Sequence, residues 1–398
     1  MSSILADGNV RLHAGDCIEV LATLPPDRFD ACVTDPPYHF ASIIKRWSGV
    51  DPSSRTSAGA MGRHSRGFMG QTWDGGDIAF RPETWAAVLR VLKPGAHLVA
   101  FGAPKNVHRL TCAIEDAGFE VRDQLMWLFG TGFPKSHDAE KALGKVTDSD
   151  LFREAAAAAS DKWAGWGTAL KPAYEPIVLA RKPLAGTVQE CLREHGTGAI
   201  NIDACRVATD EALVGGAGLL RSHYRDGKAA PGVERNGFEP STAGRWPANI
   251  VHDGSHEVVA AFPKQAGAQA PVHRRGSDKF RTTYGSFADN IDEAGSTFRG
   301  DSGSAARFFY CAKATKADRA GSKHPTVKPI ALMRWLCRLV APPGGLILDP
   351  FAGTGTTAAA AIAEGYRAEL IEREEAYRAD IVRRFGGDDG PATIAAAE

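Results

Sequence analysis

The stretch Gly345–Gly365, "GLILDPFAGTGTTAAAAIAEG", decides the fold. An apolar run ends at Asp349-Pro350, where the proline fixes φ and removes a backbone donor, so the strand stops there. Gly353 and Gly355 permit a tight turn and close approach of a ligand to the backbone. The alanine-rich run that follows favours helix. Its N-terminus offers backbone N–H groups to polar ligand atoms. The pattern is strand, glycine-rich turn, helix, with Asp349 at the carboxyl end of the strand, where open α/β sheets bind ligands. A second apolar run, "YRAELIE", ends in Glu372. That acid lies close to the roughly 20-residue spacing at which a carboxylate grips ribose hydroxyls in dinucleotide-type folds. The loop is too short for a P-loop and lacks Gly-Lys-Ser/Thr, which argues against ATP hydrolysis. An ordinary tight βα turn is the plain alternative.

Working outward, the same unit recurs. "VRLHAGD" (10–16), "CIEVLATLP" (17–25) and "FDACVTD" (29–35) read strand, helix, strand. "PETWAAVLRVLKPGAHLVAFG" and "KNVHRLTCAIEDAGFEVRDQLMWLF" each read helix, turn, strand, and "AYEPIVLARKP" is another strand. "PIALMRWLCRLVAPPG" and "REEAYRADIVRRF" are helices near the C-terminus. Repeated αβ units predict a mostly parallel sheet with helices on both faces. Residues 39–77, rich in Gly, Ser and Arg, form a long loop. Between Leu184 and Ser322 the periodicity fades, and an insertion or second domain is expected there. The tail after Phe385 is expected to fray.

Bulk properties limit the function classes. The chain has 398 residues, 43% of them hydrophobic, which is ample for a packed core. Lys plus Arg equals Asp plus Glu at 47 each, so an anionic partner must be met by local clusters. The seven cysteines follow no pattern, which points to reduced thiols and a cytoplasmic protein. No signal peptide and no membrane span are expected. Cys191, His195 and Cys205 fit no usual zinc spacing, and no metal is expected.

A second punctuated strand end, Val33–Tyr38, reads "VTDPPY". Two prolines stiffen a turn that holds one carboxylate and one phenol. Together, "TDPPY" and "DPFAGTGTT" resemble the S-adenosylmethionine-dependent amino methyltransferases of DNA. "HAGD", "KPGAHLVAFG", "GFEVRDQLMW" and "HPTVKP" also sit where that family has matching motifs. The acceptor motif precedes the cofactor loop, which is the order of the permuted β group. The resemblance covers about residues 10–183 and 323–385. It implies a circularly permuted Rossmann-like α/β fold, with one antiparallel strand near "YEPIVLARKP". It divides the chain into a catalytic half (1–183), a target-recognition insertion (184–322), a cofactor-binding half (323–385) and a tail (386–398).

By position, the resemblance implies that Asp349, Phe351, Gly353 and Gly355 line S-adenosyl-L-methionine and that Glu372 holds its ribose. Asp16 would approach the adenine, and Thr326 and Lys328 the methionine end. For Asp16 the plain alternative is a helix N-cap. The reaction implied is methyl transfer to adenine N6 of a flipped base, with N4-cytosine as the runner-up. A catalytically inactive DNA-binding subunit and a nicotinamide oxidoreductase are the readings from other classes. The exocyclic amine is a poor nucleophile because its lone pair is delocalised into the ring. Asp35 and the carbonyl of Pro36 would accept its two N–H bonds and free that lone pair, while Pro37 holds the turn and Tyr38 stacks on the base. DNA is the expected partner. A restriction endonuclease partner and a homodimer are left open. Arg63 and Arg66, and Arg274, Arg275, Lys279 and Arg281, cluster near aromatic residues and are candidates for DNA contact, with solvated loops as the alternative.

Overall fold

A computed structural model describes residues 2–38, 77–132, 136–143, 162–209, 244–264, 303–312 and 327–386, together with Thr315, Asp318 and Gly321. The described strands are β1 (Ser2–Leu5), β2 (Val10–Ala14), β3 (Phe29–Thr34), β4 (Leu92–Phe101), β5 (Glu120–Leu128), β6 (Tyr174–Arg181), β7 (Ile250–His252), β8 (Tyr310–Cys311), β9 (Leu346–Asp349) and β10 (Arg367–Glu372). They form a single sheet in the order β1-β2-β10-β9-β3-β4-β6-β5-β7-β8. Strands β2, β10, β9, β3 and β4 run parallel. Strand β6 is antiparallel to both β4 and β5, as the resemblance implied.

The helices are α1 (Cys17–Thr23), α2 (Pro82–Val91), α3 (Val107–Asp116), α4 (Ala139–Leu143), α5 (Val188–His195), α6 (His256–Ala261), α7 (Ile330–Val340), α8 (Thr356–Ala363) and α9 (Glu375–Phe385). Alternation along the strands splits the core between the two faces of the sheet. Ala31, Val33, Val99, Ile177, Ile347 and Leu370 pack on the face covered by α7, α8 and α9. Phe29, Cys32, Leu98, Val178, Leu348 and Ile371 pack on the face covered by α1, α2 and α3. Ala358 to Ala361 of α8 are fully buried, their small side chains letting the helix lie close to its neighbours. Helix α7 buries eight of its eleven residues and keeps a narrow polar edge, Arg334 and Arg338, which pair with Glu364.

Pieces of the region expected to be an insertion or second domain join this same sheet. Strand β7 pairs with β5, and β8 pairs with β7. Trp335 of α7 anchors them. Its Nε1 donates to Cys205 O at 3.3 Å, and its ring stacks on Tyr310 at 5.5 Å. Residues 39–76, expected as a long loop, 210–243, 265–302 and those after Gly386 lie outside the described residues. Trp335 therefore fastens the 184–322 region to the central core. Trp335→Ala is expected to cost about 3–5 kcal/mol in urea unfolding, the usual range for truncating a buried tryptophan.

Candidate functional site

Parallel pairing brings distant residues to one end of the sheet. Glu372 stands opposite Ala14, which sets Gly15 and Asp16 beside it, and Gly15 N donates to Glu372 O at 3.3 Å. The β3–β9 pairing sets Asp35 beside Asp349 and Pro350. A cleft of about 380 Å³ opens there, lined by Asp16, Asp35, Pro36, Pro37, Tyr38, Lys328, Asp349, Phe351, Gly353 and Glu372 among others. That size suits a small organic ligand, for which roughly 300–1,000 Å³ is usual. Of the residues expected to touch cofactor, Thr326 lies outside the described residues, as do Arg63, Arg66, Arg274, Arg275, Lys279 and Arg281.

The turn after β9 is held from within. Asp349 accepts hydrogen bonds from Thr34 Oγ1 at 2.7 Å, Thr357 Oγ1 at 2.5 Å and Phe351 N at 3.1 Å. Burial pushes its pKa up to about 6, against the pull of these donors. Its carboxylate thus ties the glycine-rich turn to β3 as well as lining the cleft. Glu372 accepts from Gly353 N and from Glu374 N, both at 2.8 Å. Each of its oxygens keeps lone-pair capacity for a further donor. Asp16 combines two roles, since it caps α1 by accepting from Ile18 N at 2.9 Å and also lines the cleft.

Gly355 departs from the expectation and is absent from the lining of the cleft. Its φ is +76°, and a Cβ there would meet Phe385 at 3.0 Å and Ile381 at 3.2 Å. It is a glycine because α9 packs against it. Cys191 and Cys205 also face different partners, the carbonyls of Pro94 at 3.1 Å and Trp335 at 3.6 Å.

A buried charge cluster adjoins the Asp35 turn. Lys328 Nζ lies 2.7 Å from Asp35 Oδ2, 3.2 Å from Glu175 Oε2 and 3.0 Å from Tyr38 Oη. It also sits over the rings of Tyr38 at 5.2 Å and Phe101 at 4.9 Å, each a cation–π contact. The Tyr38 hydroxyl donates to Glu175 Oε2 at 3.3 Å, and Asn106 Nδ2 donates to Tyr38 O at 2.5 Å. Burial disfavours charge on Lys328, but Asp35 and Glu175 outweigh it and hold its pKa above the usual value. Burial, then Asp35 and Glu175, push the Tyr38 pKa far up, so it remains a neutral phenol. Burial also raises the Glu175 pKa, with Lys328 opposing the shift and Asp35 adding to it. Asp35 Oδ1 is buried and has no hydrogen-bond partner among the described residues. Glu175 and Asn106 escaped sequence reading. The available signal was a carboxylate heading the otherwise apolar strand "YEPIVLA".

A second feature lies in the 184–322 region. Arg245 and Arg307 both sit over the Phe308 ring, at 4.4 and 4.5 Å, and Arg206 lies over Trp246 at 5.2 Å. Val207 and Arg245 pair across an antiparallel bridge, so these residues form one basic, aromatic cluster in which Trp246 is 65% exposed. No helix among the described residues is long and apolar enough to cross a membrane.

Fold and site together define a Rossmann-like α/β protein with a ligand cleft at the carboxyl ends of its parallel strands, flanked by an Asp-Pro-Pro-Tyr turn. The chain belongs to the DNA methylase family N6_N4_Mtase, whose model matches residues 29–383. It is 33% identical over 125 residues to the type II methyltransferase M.HindIII of Haemophilus influenzae, a match covering 30% of this chain and 37% of that protein. It is 38% identical over 72 residues to the DNA adenine methyltransferase YhdJ of Escherichia coli, covering 17% and 24%. The matched segments thus span under two-fifths of either relative. Similar solved structures include the cytosine-N4-specific PvuII DNA methyltransferase, with 13% identity, TM-score 0.44 and coverage of 96% and 88%. Another is a DNA modification methylase of Thermus thermophilus in complex with S-adenosyl-L-methionine, with 17% identity, TM-score 0.39 and coverage of 94% and 91%.

Burial raises the Glu372 pKa from 4.5 to about 7. The folded state therefore binds the proton more tightly than the unfolded chain does. The stability associated with the neutral carboxyl is fully present below pH 4.5 and is lost as pH rises through about 7. Glu372→Gln is expected to flatten that fall, worth about 3 kcal/mol at most, in urea midpoints measured from pH 4 to 8.

Proposed function

We propose that this protein transfers a methyl group from S-adenosylmethionine to the exocyclic amine of a base in DNA, and that the base is adenine, methylated at N6. The observation that carries the reading is the convergence on one cleft of the proline-stiffened Asp35–Tyr38 turn, Glu372 and the glycine-rich loop after β9.

The cleft fits the cofactor. Glu372 retains lone pairs suited to two ribose hydroxyls, Phe351 provides an apolar wall, and Asp16 offers an acceptor near the opening of α1. Asp349 and Gly353 shape the loop that contacts it, and Lys328 lies on the same wall. S-adenosylmethionine supplies a methyl group already activated on a sulfonium. The chain's own task is then placement and charge. Asp35 Oδ1 accepts one N–H of the amine and the Pro36 carbonyl the other, concentrating the lone pair on nitrogen. Positive charge that develops on the amine is stabilised by the fixed Asp35 carboxylate. Tyr38 offers an aromatic surface to the base. Since the amine is paired within a duplex, the base must be extruded.

We assign DNA contact to the 184–322 region. Among described residues, Arg245 and Arg307 with the exposed Trp246, backed by Arg206 in its ion pair with Asp203 at 2.8 Å, offer the cations and aromatic surface that phosphates and unstacked bases favour. Arg274, Arg275, Lys279 and Arg281 are assigned to the same role on their sequence pattern alone.

The test is incubation of the purified chain with duplex DNA and methyl-labelled cofactor, followed by digestion and mass spectrometry of the nucleosides. Labelled N6-methyladenine is expected. Labelled N4-methylcytosine would keep the chemistry and overturn the base, and no labelled nucleoside would overturn the proposed reaction.

A further inference from the structure

Asp35 does not stand alone at the end of its turn. Its Oδ2 is held by Lys328 at 2.7 Å, and Lys328 is shared with Glu175 at 3.2 Å. Glu175 is the second residue of β6, Asp35 follows β3 and Lys328 precedes α7, so the cluster joins three separate segments. The side chain of Lys328 is only 6% exposed, so water contributes little to its solvation. Among the described residues, every charged group facing it is an acid, and the other surfaces are the Tyr38 hydroxyl and the Tyr38 and Phe101 rings.

Two carboxylates on one lysine leave the cluster with a net negative charge when all three are ionised. Had Lys328 met Asp35 alone, the pair would be neutral, and the acceptor would be weakened towards an amine that is becoming cationic. With Glu175 present, the ammonium is divided between two anions, and Asp35 keeps charge to offer at Oδ1. The fixed Lys328–Oδ2 contact also sets the rotation of the carboxylate, which leaves Oδ1 as the oxygen without a partner among the described residues.

We propose that Glu175 is a positioning residue for methyl transfer, acting through Lys328 to orient Asp35 and preserve its negative charge. This inference rests on the methyltransferase reading above. Glu175 itself does not line the cleft, and it reaches the cleft only through Lys328, whose ammonium stays held by Asp35 when Glu175 is replaced. The raised Glu175 pKa accords with a buried acid beside a second carboxylate.

The experiment compares parent, Glu175→Gln and Glu175→Asp in cofactor titration by calorimetry and in single-turnover methyl transfer to DNA across pH. In Glu175→Gln, cofactor affinity is expected to stay within about twofold of the parent, while the transfer rate falls by about 10–100-fold, the scale known for partners that orient metal-binding side chains. Its acid limb should move to lower pH, because Lys328 is then left wholly to Asp35. Glu175→Asp keeps the charge but loses reach, and should keep the parent's acid limb at a reduced rate. If the parent transfers methyl and Glu175→Gln shows an unchanged rate or an unmoved limb, the positioning role is overturned. If Glu175→Gln fails to fold, Glu175→Asp decides: a parent-like rate overturns the role, and a reduced rate with the parent's limb supports it. A parent that transfers no methyl overturns the methyltransferase reading and this inference with it.

Discussion

The parallel pairing of β3 with β9 is the constraint on which the rest depends. It joins segments more than 300 residues apart and sets the Asp-Pro-Pro-Tyr turn beside the Asp-Pro-Phe-Ala-Gly turn. The junction is secured at its end by Thr34, whose hydroxyl donates to Asp349 within the core. The same carboxylate receives Thr357 from α8 and the backbone of Phe351, so strand, turn and helix share one buried acceptor. A buried carboxylate is costly unless its lone pairs are used. Here three donors meet it, and that keeps the turn in one shape. Without that pairing, the two motifs would be ordinary strand ends on separate parts of the chain.

The second organising element is charge that cannot relax into water. Lys328, Asp35, Glu175 and the Tyr38 hydroxyl form a compact set drawn from three distant parts of the sequence. Buried ion pairs seldom add much net stability, but removing one partner leaves a costly unpaired charge. Such a set therefore favours a single geometry. Asp35 Oδ1 is buried without a hydrogen-bond partner among the described residues, and the Asp35 turn borders the cleft beside the glycine-rich loop. Glu372 shows a milder form of the same economy. Two backbone amides hold its oxygens, burial raises its pKa, and lone pairs remain for a ligand.

Much of the fold was legible because local chemistry and global topology agree. Asp-Pro pairs stop β3 and β9 where the strands end, and the alanine run after Thr357 becomes the closely packed α8. For Asp16 the helix cap, the plain alternative in the sequence, is present, and the residue also lines the cleft. Gly355 was not, because a turn glycine looks the same whether a ligand or a neighbouring helix requires it. Only the packing of Phe385 and Ile381 shows which. Glu175 was hidden for a different reason. One acid at the head of an apolar strand carries no periodic signal, and its partner Lys328 lies 153 residues further on. The strands of the 184–322 region were not legible because they are only two and three residues long, and β7 and β8 extend the central sheet.

The central claim is that Asp35 acts on the amine and not on the cofactor. Asp35→Ala addresses it most directly, in a single-turnover assay of labelled methyl transfer to DNA beside a calorimetric cofactor titration on the same preparation. Cofactor affinity should remain near that of the parent. The transfer rate should fall by on the order of 10²–10³ or more, the usual effect of losing one preorganised polar contact in a reacting site. Transfer at near the parent rate, with intact folding, would contradict the assignment and leave the Asp-Pro-Pro-Tyr turn as a proline-stopped strand end.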